Sequence, residues 1–292
     1  MKRYNTLGEL LIDYRSLNNI SQSDFAARMD VDIRSIQRWE KNITLLKSDK
    51  ESELVEESFL PHQLIRNLNA TNPIPTYYDF RIRKYSLSEL TNDLPDIDWV
   101  KLKMDVTSEQ LKTLDIDNNL PHILRYIDYQ YEEHNIINHQ VLKQAILLFP
   151  NLNLHLTDTL GFYAGHSIVL SITEDAYLKL RNKEITNKQL NTSDLIDYRT
   201  VNRPIFYGYN ITADSNNNAF YILGAILKFF RDASLDDYLF CSFTNRHDAA
   251  NLNERIGLQL VWEEEGKDSL IFSDNTNLFY EGNIKEFLLK SI

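Results

Sequence analysis

Between Ser21 and Asn42 the chain reads SQSDFAARMDVDIRSIQRWEKN, and this stretch constrains the fold more than any other. Ser21 is placed to cap a short helix whose apolar positions Phe25, Ala26 and Met29 fall at helical spacing. Asp30-Val31-Asp32 interrupts that pattern, and Asp32 is placed to cap a second helix. The inner stripe of the second helix would be Ser35, Ile36 and Trp39, which leaves Arg34, Gln37, Arg38 and Lys41 outward. Two crossed helices with a basic, amide-rich outer face suit the major groove of duplex DNA.

Together with the preceding TLGELLIDYRSLNNI, the stretch resembles the helix-turn-helix of phage-repressor-like (XRE-type) regulators. The likeness lies in an amphipathic helix ending in Arg15, then Ser21-Gln22, Ala26-Ala27, and Ile36 followed by Trp39-Glu40. The family usually has Gly where this chain has Asn42, and Asn also tolerates the left-handed conformation found at helix ends. The resemblance implies that Gln22 meets the DNA backbone and sometimes a base, and that Arg34, Ser35 and Arg38 face base edges. Gln37 and Lys41 would hold the helix on phosphates. An arginine bidentate to guanine is the commonest specific contact of this kind. Such readers bind as dimers, so a homodimer on double-stranded DNA is expected.

The formal charge of −11 argues at first against nucleic acid. Its distribution argues otherwise, because residues 1–47 carry eight Lys and Arg against six Asp and Glu. A small basic reader on an acidic body fits a specific DNA binder. Cys241 is the only cysteine, which excludes an intrachain disulfide and a thiolate metal cage and suggests a buried structural thiol. With no apolar run near the roughly 20 residues of a membrane span and no signal-peptide core at MKRYNTLGELL, a cytoplasmic protein is expected.

Leu7–Leu17 is a one-faced helix, and two further helical pieces, ITLLKSDKESELVEESFL and PHQLIRNLNA, follow Asn42. The sequence therefore predicts an all-α helix-turn-helix domain over residues 1–70. Pro73 and Pro75 break any helix and mark a linker, taken as 71–105. From 106 to 292 an α/β (α+β) domain is expected. Leu111–His134 and Val141–Phe149 read as helices. Then come a strand at His166–Ile172, a helical TEDAYLKLRNKEIT, a strand at NRPIFYGYNIT and a strong helix at NNAFYILGAILKFFRDA. YLFCSFT is a strand, RHDAANLNERIG a helix ending at Gly257, and LQLVWEEE and DSLIFSD read as two closing strands.

That order, together with NRHDAANLNERIGL at Asn245–Leu258, looks like an acyl-CoA N-acyltransferase of the GNAT superfamily. The resemblance implies that a helix docks beside the pantetheine arm of acetyl-CoA, and that PIFYGYNIT is the strand whose splayed end admits the thioester. Ile211, Thr212, Ala213, Asn217, Asn218, Ala219, Asn245 and Arg246 are then the candidate acyl-CoA-binding residues. Two departures stand out. The family's glycine-rich pyrophosphate loop is here ADSNNNAFY, without a glycine, and Asn253 occupies the place where many members carry a tyrosine that protonates the leaving thiolate. Tyr207 and Tyr209 lie on the candidate cofactor strand, where alternation would give them one face, and Tyr209 is the catalytic nominee.

His134 and His139 do not make a metal site, since a helix needs a spacing of four to point both rings at one ion. No Gly-x-Ser-x-Gly elbow and no Walker loop is present. The expectation is a sequence-specific transcriptional regulator carrying a GNAT-like domain that senses or uses an acyl-CoA. Two alternatives stay open: an active N-acyltransferase whose helix-turn-helix recruits a substrate, and a degenerate acyltransferase fold used for dimerisation.

Overall fold

A computed structural model describes residues 1–88, 94–130, 136–233, 235–265 and 276–290. The chain divides into two compact units, Met1–Asn92 and Asp93–Ile292. Thirteen Lys and Arg balance thirteen Asp and Glu within residues 1–92, so the formal charge of −11 belongs entirely to residues 93–292. No helix among the described residues is long and apolar enough to cross a membrane.

The first unit opens with β1 (Lys2–Tyr4) and continues through α1 (Leu7–Leu17), α2 (Gln22–Arg28), α3 (Ile33–Glu40), α4 (Ser48–Ser58) and α5 (His62–Leu68). Ser21 accepts from the Asp24 N–H at 3.1 Å and Asp32 from the Arg34 N–H at 2.8 Å, so both helices of the motif start on the side chains that the sequence offers as caps. Asp30 turns the chain between them at φ 45. Asn42 takes φ 54 after α3, and its Oδ1 accepts from the Gly8 N–H at 3.0 Å. α1 crosses α3 so closely there that a Cβ on Gly8 would lie 2.3 Å from the Glu40 carbonyl oxygen. Phe25, Met29, Ile36 and Trp39 are buried with Leu10, Leu11 and Tyr14 of α1.

The unit is not all helical. β2 (Thr76–Asp79) and β3 (Lys84–Ser86) follow α5 and form an antiparallel sheet in the order β1-β2-β3, with Arg3 opposite Tyr77 and Tyr78 opposite Tyr85. The prolines do end the helices, but the next residues, TYYD, are β-formers that pair with the N-terminus. The segment 71–88, expected as linker, therefore belongs to the first unit.

The second unit starts with α6 (Ile97–Leu102), β4 (Leu111–Thr113), α7 (Leu120–Gln130) and α8 (His139–Leu148). β5 (Leu154–Thr157), β6 (Tyr163–Ile172), α9 (Glu174–Arg181), β7 (Ile205–Ala213) and α10 (Asn216–Asp232) come next. β8 (Leu239–Thr244), α11 (His247–Arg255), β9 (Gln259–Glu265), β10 (Thr276–Gly282) and α12 (Lys285–Leu289) complete it. Leu111, expected in a helix, begins a short strand, and the helix starts at Leu120. Gly257 closes α11 at φ +95, as its position at the end of RHDAANLNERIG predicts. DSLIFSD, residues 268–274, lies outside the described residues; among those described, the strand that pairs with β9 is Thr276–Gly282. The pairing is interrupted by a bulge on β9, where Val261 is skipped between Trp262 opposite Phe279 and Leu260 opposite Tyr280.

The seven strands lie in the order β4-β5-β6-β7-β8-β10-β9. Every neighbouring pair is antiparallel except β7 and β8, which are parallel and joined by α10 as crossover. Phe220, Leu223, Ile226, Leu227 and Phe230 of α10 bury one stripe in a core with Val169, Phe206 and Phe240 from the sheet, Ala250 of α11 and Ile256 just after it. α6 lies against α10, with Trp99 and Phe220 ring centroids 4.6 Å apart. It is clasped on two sides: Arg255 of α11 reaches Asp96 and Asp98 at 2.9 and 3.0 Å, and Lys228 and Arg231 of α10 reach Asp105 at 2.7 Å.

Candidate functional site

The outer edge of α3 carries three cations one helical turn apart: Arg34, Arg38 and, at the helix end, Lys41. All three are exposed, and none has an ion-pair partner among the described residues. Other cations of the same unit are committed: Lys2 to Asp13, Arg15 to Glu40, Arg28 to Glu57, Lys50 to Glu53 and Arg66 to Glu51. Ser35 and Gln37 are half-buried beside this edge. Gln22 is held from below, donating its side-chain N–H to Glu40 Oε2 at 2.6 Å while its oxygen accepts from Gln37 Nε2 at 3.4 Å. Glu40 is 8% exposed and also accepts from Arg15 Nε at 2.5 Å. The six residues that the sequence singles out thus share one face, with three cations outermost and the amides tied to a buried carboxylate.

In the second unit, β7 and β8 pair only from Ile205–Gly208 against Leu239–Ser242. Beyond that point Tyr209–Ala213 stays with β6, while Phe243 and Thr244 stay with β10. The two parallel strands therefore part after Gly208. A bulge marks the same place, because Val169 pairs with Gly208 and Ile168 with Asn210, which leaves Tyr209 as the extra residue. The bulge breaks the alternation that would have put both tyrosines on one face. Tyr207 donates to Asn187 at 2.7 Å in a buried contact, and the Tyr209 hydroxyl accepts from the Ile137 N–H at 3.2 Å.

A cavity of about 50 Å³ lies at the parting strands, lined by Ile211 of β7, Leu223 and Leu227 of α10, Leu252 and Asn253 of α11 and Ile97 of α6. Asn253 donates to Ser242 Oγ at 3.0 Å, at the residue where β8 leaves β7. An amide there can donate a hydrogen bond but cannot give up a proton to a thiolate. The loops after β7 and β8 lead into α10 and α11, so both helix N-termini sit at the carboxyl ends of the parallel pair, the usual ligand end of such a sheet. Phe220, which could have blocked the cleft, turns to Trp99 and does not line the cavity.

The remaining candidates are distributed around this point. Ala213 is half-buried, Asn217 exposed and Ala219 buried. Asn218 donates its side-chain N–H to Asp214 Oδ1 at 2.7 Å, and its backbone N–H goes to Ser215 Oγ at 3.4 Å. Asn245 is half-buried, and Arg246 is held by Asp248 through two bonds of 2.9 and 2.6 Å. Thr212 Oγ1 lies 3.4 Å from the Tyr126 hydroxyl.

That last contact belongs to a polar cluster that sequence reading missed. His155 of β5 lies opposite His166 of β6, which lies opposite Thr212 of β7. Tyr163 Oη is 2.6 Å from His166 Nδ1, and the rings of His122, His155 and His166 stand 5.1 to 5.9 Å from that of Tyr163. Burial, with His122 nearby, pushes His155 down to about 4. Its members come from α7 and three strands, so no local spacing could have joined them. Among the described residues no group of His, Cys, Asp and Glu could hold a metal ion, and His134 lies outside them. Cys241 is fully buried, which pushes its thiol up and away from reactivity.

The sequence matches no protein family and no curated protein. Several solved structures align with 59% of this chain. Arabidopsis thaliana Naa50 in complex with a bisubstrate analogue does so over 97% of its own length, at 9% identity and a TM-score of 0.40. A Drosophila melanogaster polyamine N-acetyltransferase, which forms N-acetylagmatine, does so over 97% of its length at 11% identity and 0.38. A chain of the NatC complex bound to Gag peptide and CoA does so over 95% at 16% and 0.37. Likeness at this level says nothing about what this chain does; the strand order and the parting of β7 from β8 are properties of the chain itself.

Proposed function

We propose that the chain is a sequence-specific DNA-binding regulator whose second unit is a GNAT-type fold that takes an acyl thioester between β7 and β8. The observation that carries the DNA half is the exposed edge of α3, where Arg34, Arg38 and Lys41 stand without carboxylate partners while neighbouring cations are paired. Phosphate and base-edge acceptors are the natural counterparts of such an edge. Gln22 and Gln37 support it from below, and Ser35 completes the face. Selection from random duplex DNA with the full chain should enrich one motif, bound as a pair of half-sites about one helical turn apart. Enrichment of no motif would remove the regulator reading.

Arg34→Ala and Arg38→Ala should each relax base preference at one position of a half-site, at a cost of about 1–3 kcal/mol. Lys41→Ala should weaken all sequences alike and lower the salt dependence by about one phosphate contact. The check is a binding titration over single-base variants of the selected site. If both arginine variants keep the parent's ranking of those sites, the base-reading roles are wrong.

A second reading, an active acetyl-CoA-dependent N-acyltransferase, is favoured by the parting of β7 from β8 and by Tyr209 at its apex. Asn253 and the glycine-free loop before α10 weigh against it. Thiol release from acetyl-CoA and from S-acetylpantetheine over a panel of amines decides between turnover and binding alone. Loss of that release in Tyr209→Phe would assign the phenol a part in it.

A further inference from the structure

We propose that the cleft between β7 and β8 selects an uncharged acyl-pantetheine arm and discriminates against the phosphates of coenzyme A. The proposal rests on the reading that this cleft takes a pantetheine thioester, and it names which carrier chemistry fits.

The first turn of α10 is where a diphosphate would be gripped, by free N–H groups and the positive end of the helix dipole. This chain caps that turn in part with its own groups. Ser215 Oγ accepts from the Asn218 N–H, and the Asn218 side chain donates to Asp214, whose side chain is buried at 8% exposure. A carboxylate thus lies within hydrogen-bond reach of the first turn of α10, and a phosphate drawn to that turn would meet a like charge at close range. The backbone offers no substitute, because there is no glycine between Gly208 and Gly224 to let consecutive N–H groups wrap an anion.

This segment brings no counter-charge of its own. From Pro204 to Leu227, which covers β7, the loop and most of α10, the sequence contains no lysine or arginine. Arg246, the one cation among the candidate residues of this cleft, donates from Nε and Nη2 to Asp248, and both side chains are largely buried. The unit around them carries the whole formal charge of −11. Coenzyme A, with its diphosphate and its ribose phosphate, meets repulsion at close and long range.

What the cleft does offer suits a neutral arm. Past Gly208 the edge of β7 that faces β8 has backbone groups that no strand pairs among the described residues, a match for a chain built of amides. The cavity walls are aliphatic at Ile211, Leu223 and Leu252, as an acyl group requires.

Calorimetry on the full chain with S-acetylpantetheine, S-acetyl-4′-phosphopantetheine and acetyl-CoA tests this as a series of rising phosphate number. Affinity should fall at each step. Asp214→Asn keeps an oxygen for the Asn218 side chain and removes the charge; it should raise acetyl-CoA affinity by about tenfold and leave S-acetylpantetheine unchanged, with the gain shrinking as salt rises. Acetyl-CoA binding to the parent chain as tightly as S-acetylpantetheine, or more tightly, would overturn the proposal while leaving the pantetheine reading in place. No heat with any of the three would overturn that reading and the proposal with it.

Discussion

Glu40→Ala should loosen the helix-turn-helix by about 3–5 kcal/mol, the usual cost of removing one partner from a buried ion pair. Glu40 accepts from Arg15 Nε at 2.5 Å and from the Gln22 amide at 2.6 Å, and the Arg15 side chain is itself only 15% exposed. Truncation leaves a guanidinium under α3 without its counter-charge, in a place where water reaches poorly. Amide exchange on the full chain is the measurement: protection across α1 and α3 should fall by roughly two to three orders of magnitude, at 1.4 kcal/mol per tenfold, while β6 and β7 keep theirs. Replacing both partners with apolar groups, Arg15→Met with Glu40→Leu, should recover most of the loss, because no orphaned charge remains. A loss below about 1 kcal/mol for Glu40→Ala would mean that the pair behaves as a solvated surface bridge. The DNA face depends on the same carboxylate, since Glu40 fixes Gln22 and Gln22 fixes Gln37.

This network explains why the first unit was legible in its motif and not in its extent. Ser21, Asp32 and Asn42 act locally, through caps and one left-handed turn, and such roles can be read from the residue type at a fixed spacing. β2 and β3 depend on pairing with Lys2–Tyr4, more than 70 residues away in sequence, and no local pattern in TYYD announces that partner. A three-residue strand at the N-terminus gives no periodic signal at all. The prolines correctly marked the end of the helices; what followed them was decided by a distant strand.

The cleft divides in the same way. The strands β6, β7 and β8 and the helices α10 and α11 were visible as β-rich runs and one-faced stripes. Their parting after Gly208 is a property of pairing, which only the register states. The bulge that isolates Tyr209 arises because β6 has one residue fewer than β7 across that stretch. Asp214 carried a weak sequence signal, as an acid just before a helix, but its burial and its bond to Asn218 gave it its meaning. The histidine cluster left no trace, because β-pairing aligns His155 with His166 and a helix brings His122 over them.

That cluster leads to the second large effect, a loss of stability in mild acid. His155 stands at about 4 in the folded chain, below the ordinary value near 6.5, because burial opposes its charge and His122 is close. The cross-strand partners of His155 are Lys112 and His166, neither of which offers a carboxylate to a proton placed on its ring. As pH falls below 6.5 the unfolded chain takes up a proton that the folded chain refuses until about pH 4, so the stability is full above 6.5 and is lost between those values. One group with this displacement contributes about 3 kcal/mol, of which about 2 kcal/mol should be gone by pH 5. Carboxylates elsewhere also titrate in this range, so the informative quantity is a difference between two proteins. His155→Gln, neutral at every pH, should remove that slope: its stability relative to the parent should rise by about 2 kcal/mol between pH 7.5 and pH 5, read from urea unfolding and from amide protection in β5 and β6. Equal slopes for parent and variant would show that His155 accepts its proton in the folded state as readily as in the unfolded chain.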